Sequence, residues 1–332
     1  MGNVAGSLRW GILGTGWIAS EFTQDLLATG MTIAAVGSRS QDSADAFAKR
    51  FGIATAHSSY EALAADPDVD AIYISTPHPF HYENAKLVLN SGKHALVEKA
   101  FTLNAAEARE IVALAADRGL VILEAMWTRW LPHMARIREI IAAGTLGEVR
   151  TIIADHNQRL SSDPEHRILN PDLGGGALLD LGIYPVSFAW DIFGKPSSVT
   201  AVSTPTASTG VDRQTAIILG YPDGQQAVLH TALDTAGPNT AAVIGTLGRI
   251  EIDSVWYTPT SFTVFDQQGD VVELFDEEVV SRGMQFEAQA LEQIVASGAL
   301  VGDELPPAET VAIMETLDEI RSQIGLVYPA EQ

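Results

Sequence analysis

The chain contains no cysteine. That excludes disulfides, thiolate metal sites and a thiol nucleophile, without by itself fixing a compartment. Positive charge is scarce: 20 lysines and arginines stand against 42 aspartates and glutamates, a formal net charge of −22. Such a chain is not a general binder of nucleic acid or of an anionic membrane surface. A phosphate-bearing cofactor would have to be held by local donors and not by the overall field. Acidic runs such as Asp276-Glu277-Glu278 read as solvated surface. There is no run of about 18 apolar residues, so no transmembrane helix is expected. The first ten residues lack a basic start followed by an apolar stretch, and glycine occupies the sixth position, where a myristoylation signal wants Ser or Thr. A cytoplasmic enzyme is the expectation. Internal repeats and low-complexity linkers are also missing.

What the chain has is enough length and apolar content for two domains, with 332 residues of which 46% are hydrophobic. Leu8 to Leu13 reads as a buried strand that breaks at Gly14. Gly14-Thr15-Gly16-Trp17-Ile18-Ala19 follows as a G-x-G-x-x-A turn, and then a helix. This is the dinucleotide fingerprint in its strand–turn–helix context. Gly14 allows the tight turn, Gly16 lets the backbone approach a pyrophosphate, and Ala19 lets the helix pack close to the strand. The helix N-terminus offers free N–H groups and partial positive charge to phosphates.

Met31–Gly37 reads as a second strand, whose end faces the adenosine ribose in this fold. An acidic residue there would bind the ribose 2′-hydroxyl and repel a 2′-phosphate. Ser38 and Arg39 stand there instead. A hydroxyl beside a guanidinium suits a phosphate, so NADP is favoured over NAD. A third strand, Ala71–Ser75, runs into Thr76-Pro77-His78-Pro79-Phe80-His81. A fourth, His94–Val97, ends in Glu98-Lys99. Val121–Ala125 ends in Met126-Trp127-Thr128-Arg129. The strand–helix alternation predicts a parallel sheet covered by helices.

The pattern changes near residue 147. Gly147–His156 is a longer strand, Asn157–Asp172 is polar and irregular, and Gly174–Asp180 opens a helix that continues to Phe193. Strands then follow at short intervals to Phe275, with hairpin turns at Pro222-Asp223-Gly224 and Gln268-Gly269. Met284–Val295 and Ala308–Ile324 read as closing helices. The fold class expected is α/β: an N-terminal Rossmann domain over 1–126, and an α+β domain with a large, mostly antiparallel open sheet over 127–332. The closing helices can pack back on the first domain. An open sheet face leaves alternating runs such as Thr215–Leu219 and Ala227–Leu233 exposed, which points to a homodimer through that face. A monomer covered by its own helices is the alternative.

With Glu98-Lys99, Glu124-Ala-Met-Trp127-Thr-Arg129-Trp130 and Gly174-Gly-Gly-Ala-Leu-Leu-Asp180-Leu-Gly-Ile-Tyr184 in view, the chain resembles the glucose–fructose oxidoreductase / inositol dehydrogenase / MocA family. Within it, the likeness is to the branch of dimeric dihydrodiol dehydrogenase and NADP-dependent D-xylose 1-dehydrogenase. It runs from about residue 8 to about 326. The resemblance implies NADP(H) and reversible oxidation of a hydroxyl on a sugar, polyol or cyclic diol. It places the catalytic lysine on Lys99, the acid/base on Tyr184 and a supporting carboxylate on Asp180. Trp127 would shape the nicotinamide and substrate pocket, and Thr76, Pro77, His78 and His81 would surround the nicotinamide ribose. Glu98 and Arg129, in the same motifs, join the cofactor set. The family usually has proline after the lysine, often with a cis bond; here Ala100 stands there. A cis bond before a non-proline residue costs about 2.5–4 kcal/mol, so a trans Lys99–Ala100 bond is expected.

The chemistry needs a proton taken from oxygen while the cofactor takes hydride from carbon. The phenol of tyrosine has an unperturbed pKa of about 10, and a nearby ammonium lowers it. Tyr184 is therefore assigned proton transfer with Lys99 as its electrostatic partner; exchanged roles are the nearest alternative. Asp180, four residues before Tyr184, can face the same pocket and orient Lys99 or bind a substrate hydroxyl. His156 is expected to line the pocket, with Arg159, His166 and Arg167 in a loop above substrate. His78, His81, His156 and His166 show no metal-binding spacing, so no metal is expected. Two other readings stay open: an enzyme of this fold that retains its nicotinamide for glycoside cleavage, and a dinucleotide-binding regulator without turnover.

Overall fold

The computed structural model describes residues 7–331, so the reading of the first six residues given above lies outside it. The chain forms two units. One comprises the residues up to 127 together with 280–311; the other comprises 128–279 and 312 onward.

In the first unit, β1 (Arg9–Leu13), β2 (Thr32–Gly37), β3 (Thr55–His57), β4 (Ala71–Ile74), β5 (His94–Glu98) and β6 (Ile122–Ala125) make one sheet in the order β3-β2-β1-β4-β5-β6. Every adjacent pair is parallel. The crossovers are α1 (Trp17–Ala28), α2 (Gln41–Phe51), α3 (Tyr60–Ala64), α4 (His81–Asn90) and α5 (Ala105–Arg118). The order reverses between β1 and β4, and doubly wound sheets bind ligands beyond the strand carboxyl ends at that point. Edge strand β3 escapes a sequence reading because three residues are too few to show alternation. Phe22 of α1 stacks on Tyr73 of β4 with centroids 3.8 Å apart and meets Trp10 of β1 edge-on at 5.7 Å. All three are fully buried, each such ring contributing about 2 kcal/mol of transfer free energy.

The second unit contains α6 (Pro132–Ala142), β7 (Val149–Asn157), α7 (Ile183–Phe193), β8 (Ser198–Pro205), β9 (Asp212–Gly220), β10 (Gln226–Ala232), β11 (Ala241–Gly245), β12 (Gly248–Ile252), β13 (Phe262–Asp266) and β14 (Val271–Phe275). The strands form one eight-stranded sheet, β14-β13-β12-β11-β7-β10-β9-β8. It is antiparallel except for the parallel pair β7 and β10. The sequence reading contains no helix at α6. Yet Pro132 opens it, and Met134, Ile137 and Ile140 are buried at helical spacing.

Helix α7, buried along most of its length, packs on β7 and β10. The strands place Ile218, Val228, Ile153 and Ala242 side by side in cross-strand register. The first three are 42–48% exposed. Of the remaining helices, α8 (Gln285–Ser297) lies in the first unit, packed on α1 and β6, where its Glu292 accepts the Trp10 indole N–H at 3.0 Å. Helix α9 (Pro307–Ile324) begins in the first unit and continues in the second.

Candidate active site

The carboxyl edge of the parallel sheet is built around the turn after β1. Gly14 has φ +108°, and its N–H reaches Gly37 O of β2 at 3.0 Å. A Cβ on Gly14 would fall 2.7 Å from Ser75 Oγ, so the turn requires glycine. Gly16 begins α1 without a side-chain cap, and the first helical hydrogen bond runs from Ser20 N to Gly16 O at 3.1 Å. The N–H groups before Ser20 therefore have no partner within the helix. A Cβ on Gly16 would meet no protein atom within 4 Å. That open cradle before the N–H groups of Trp17 and Ile18 fits a dinucleotide diphosphate.

At the end of β2, a Cβ on Gly37 would lie 2.8 Å from Leu63 Cβ and 3.2 Å from Ser59 O. Glycine there lets the start of α3 sit directly over the strand. Ser38 is buried, and its N–H bonds His57 O at 3.1 Å. Arg39 is exposed and lies beside Tyr60. Burial raises the Tyr60 phenol above its ordinary range, and the Arg39 guanidinium opposes that shift.

After β4, Thr76 and Pro77 lead into a single 3-10 turn at His78–Phe80. His78 is buried, edge-on to His81 with centroids 5.7 Å apart. His81 is fully buried, with Nε2 2.6 Å from Thr76 O and Nδ1 2.9 Å from Ala100 O. Burial pushes its pKa down to about 4. His81 is thus a neutral imidazole packed between the loop after β4 and the segment after β5, with one N–H to give to one of the two carbonyls.

Glu98, at the end of β5, is buried; it accepts the Tyr73 hydroxyl and the Lys99 N–H, the latter at 3.2 Å. Phe101 N–H bonds Glu124 Oε1 at 3.2 Å. The peptide between Lys99 and Ala100 is cis. This corrects the trans expectation, which weighed only the local cost. Glu98 and Glu124 hold the amides on either side, and the His81 ring lies beside the Ala100 carbonyl. Trp127 follows β6 and is buried.

In the second unit, β7 carries His156, whose ring stacks on Tyr257 at 3.7 Å and 25°. The Tyr184 ring stands edge-on to His156 at 4.9 Å and tilts against Tyr257 at 5.4 Å. All three are buried. Gln158 Nε2 lies 2.8 Å from His156 Nε2 and donates to the Tyr257 hydroxyl at 3.2 Å. The sequence reading named neither Gln158 nor Tyr257. Tyr257 sits in an irregular segment with no periodicity, fixed by the Trp256 indole on Asp155 O at 2.8 Å and the Thr128 hydroxyl on Tyr257 O at 2.7 Å.

Asp180 lies in a π-helical turn, Leu178–Gly182, that runs into α7 and Tyr184. Arg167 grips it with a two-pronged contact, Nη1 to Oδ1 at 3.1 Å and Nη2 to Oδ2 at 3.4 Å. A Cβ on Gly182 would approach Thr231 Cγ2 of β10 to 3.2 Å, so glycine seats this helix on the sheet. Asp212, the first residue of β9, accepts the Leu178 N–H at 2.7 Å and the Thr215 hydroxyl at 3.2 Å. A Cβ on Gly176 would lie 2.1 Å from Asp212 Oδ1. Burial pushes the Asp212 carboxyl up to about 7.

Arg129 is bound into the helix that carries Tyr184. It is buried, its Nε donating to Ser187 Oγ at 3.1 Å and its Nη1 to Asp191 Oδ1 at 3.1 Å. Arg138 shares Asp191 at 2.9 Å. The Arg129 fork anchors α7 through Ser187 and Asp191. Among the described residues, no group of three or more His, Asp or Glu side chains is placed to hold a metal ion, and no helix is long and apolar enough to cross a membrane.

Residues 8–125 match the model of an oxidoreductase family with an NAD-binding Rossmann fold, and residues 134–251 match the GFO/IDH/MocA C-terminal domain. The trans-1,2-dihydrobenzene-1,2-diol dehydrogenase of Mus musculus is 36% identical over 98% of this chain and 99% of its own length. The D-xylose 1-dehydrogenase (NADP(+)) of Hypocrea jecorina is 33% identical over 97% of this chain and 93% of its own. The solved structure of KijD10, a 3-ketoreductase from Actinomadura kijaniata in complex with NADP and TDP-benzene, matches with a TM-score of 0.84 and 27% identity, covering 96% of this chain and 98% of that one.

Proposed function

The chain belongs to the GFO/IDH/MocA oxidoreductase family, and on that premise we propose that it transfers a hydride between NADP(H) and a hydroxyl- or carbonyl-bearing carbon of a sugar, polyol or cyclic trans-diol. The observation that carries the reading is the carboxyl edge of the parallel sheet. There Gly14–Ile18, Ser38–Arg39, Thr76–Pro77, Lys99 and Trp127 follow β1, β2, β4, β5 and β6 in turn. The uncapped start of α1 and the open space at Gly16 receive the diphosphate. Arg39, with no acidic residue after β2, favours the 2′-phosphate.

When bound, the nicotinamide supplies the hydride acceptor or donor. Tyr184 exchanges the proton with the reacting hydroxyl. Its ring is set by His156 and Tyr257. Lys99 supplies positive charge to the oxygen as negative charge develops on it. Asp180, oriented by Arg167, hydrogen-bonds a neighbouring substrate hydroxyl. The reading includes a cytoplasmic location and a homodimer formed through the exposed face bearing Ile153, Ile218 and Val228.

The test is a panel of aldoses, polyols and trans-diols with NADP or NAD, read at the nicotinamide absorbance band. Reduction of NADP by at least one compound, faster than of NAD, is expected. No absorbance change with any compound, together with no calorimetric heat from either coenzyme, would reject the reading.

A further inference from the structure

The segment before α8 is a constructed turn within the first unit, and nothing above uses it. Ser281 has φ +62° and Gly283 φ +93°. Ser281 thus adopts the left-handed region that non-glycine residues seldom occupy. Asp25, a fully buried carboxylate on α1, accepts the backbone N–H of Arg282 at 3.3 Å and of Met284 at 2.8 Å. Gln285 Nε2 closes the turn on Val280 O at 3.2 Å.

The result of this bracing is the placement of one cation. The Arg282 guanidinium carbon stands 5.1 Å from the centre of the Trp17 ring and 5.3 Å from that of Trp127. Trp17 is the first residue of α1, immediately after the glycine turn; Trp127 follows β6. The guanidinium therefore lies over the edge of the sheet along which a dinucleotide would run. Its Nε is buried without a hydrogen-bond partner, and its contact with Glu21 Oε2 is long, at 3.9 Å. From Gly14 to Ser20 the turn supplies no charged side chain. With a net charge of −22 on the chain, a cation close at hand adds charge-assisted hydrogen bonds to those of the helix N-terminus.

Resting on the cofactor reading above, we propose that Arg282 is a diphosphate-binding residue, its guanidinium opposing the α1 N-terminus across the two phosphates, with Asp25 as the positioning residue that fixes its turn. Arg39 reads the 2′-phosphate, and Arg282 reads the phosphates common to both coenzymes.

The test is calorimetry on the full chain with NADP, NAD and adenosine 2′-monophosphate, which lacks the diphosphate. Arg282→Ala is expected to raise the Kd of NADP and of NAD by the same factor, about tenfold or more, and to leave adenosine 2′-monophosphate unchanged. Arg39→Ala is expected to weaken NADP and adenosine 2′-monophosphate but not NAD. Arg282→Lys, which keeps the charge, is expected to recover part of the loss. Because Trp17 and Trp127 flank the guanidinium, tryptophan fluorescence on titration gives a second readout. Unchanged Kd values for both coenzymes in Arg282→Ala would overturn the proposal. So would a loss confined to NADP, or an equal loss for adenosine 2′-monophosphate. If the unaltered chain binds neither coenzyme, the cofactor reading itself fails, which is a different result.

Discussion

Arg167 reaches out of an irregular polar loop to fork onto Asp180, pairing a half-exposed guanidinium with a carboxylate that is almost wholly buried. The pair fixes the one carboxylate on the turn leading to Tyr184, and on the proposed function, in which Asp180 binds a substrate hydroxyl, it should act on substrate geometry more than on stability. An exposed partner is screened by solvent, and removing it costs at most about 1 kcal/mol. Arg167→Ala is expected to raise the substrate KM roughly tenfold, with the NADP Kd unchanged. Steady-state kinetics beside calorimetry check this.

Gly16 and Gly176 make opposite predictions. A methyl group on Gly16 meets no protein atom and suits its φ of −76°, so Gly16→Ala should unfold within about 1 kcal/mol of the unaltered chain. The same methyl group obstructs the diphosphate, and NADP affinity should fall at least tenfold. Gly176 has φ +124°, and its Cβ would collide with Asp212 Oδ1. Gly176→Ala should destabilise by about 3 kcal/mol or more. Urea unfolding and coenzyme titration of the two variants separate the roles.

Asp212 makes stability pH-dependent. Burial raises its folded pKa to about 7, well above the ordinary carboxylate range, so the folded chain holds this proton more tightly than the unfolded one. Its contribution is fully present below about pH 4, is lost as pH rises to about 7, and is constant above that. Asp212→Asn keeps an acceptor for the Leu178 N–H and cannot ionise. Urea midpoints of Asp212→Asn should therefore fall less between pH 4 and pH 7 than those of the unaltered chain.

The face carrying Ile218, Val228 and Ile153 predicts its own disruption. Val228→Arg puts a charge at the middle of that row without entering the core. Sedimentation should show a dimer for the unaltered chain and a monomer for the variant.

The sequence made the first unit legible because its signals are local. A glycine turn between a strand and a helix needs only about a dozen residues, and the loops after β2, β4, β5 and β6 inherit their place from the strand order. What escaped was tertiary. Tyr257 meets His156 only because Trp256 is pinned to Asp155. Glu98, Glu124 and His81 together fix the Lys99–Ala100 segment from three different elements. No spacing in the chain announces either arrangement. The surroundings of Arg129 and His81 are equally out of reach of a sequence motif: burial sets one against Asp191 and the other beside the carbonyls of Thr76 and Ala100.

The most direct measurement is single-turnover reduction of NADP by Tyr184→Phe, with coenzyme affinity measured on the same preparation. The account predicts an NADP Kd equal to that of the unaltered chain and a rate lower by about 10²–10⁴, the share of a positioned proton-transfer group. A variant that binds NADP normally and turns over at the unaltered rate would contradict it.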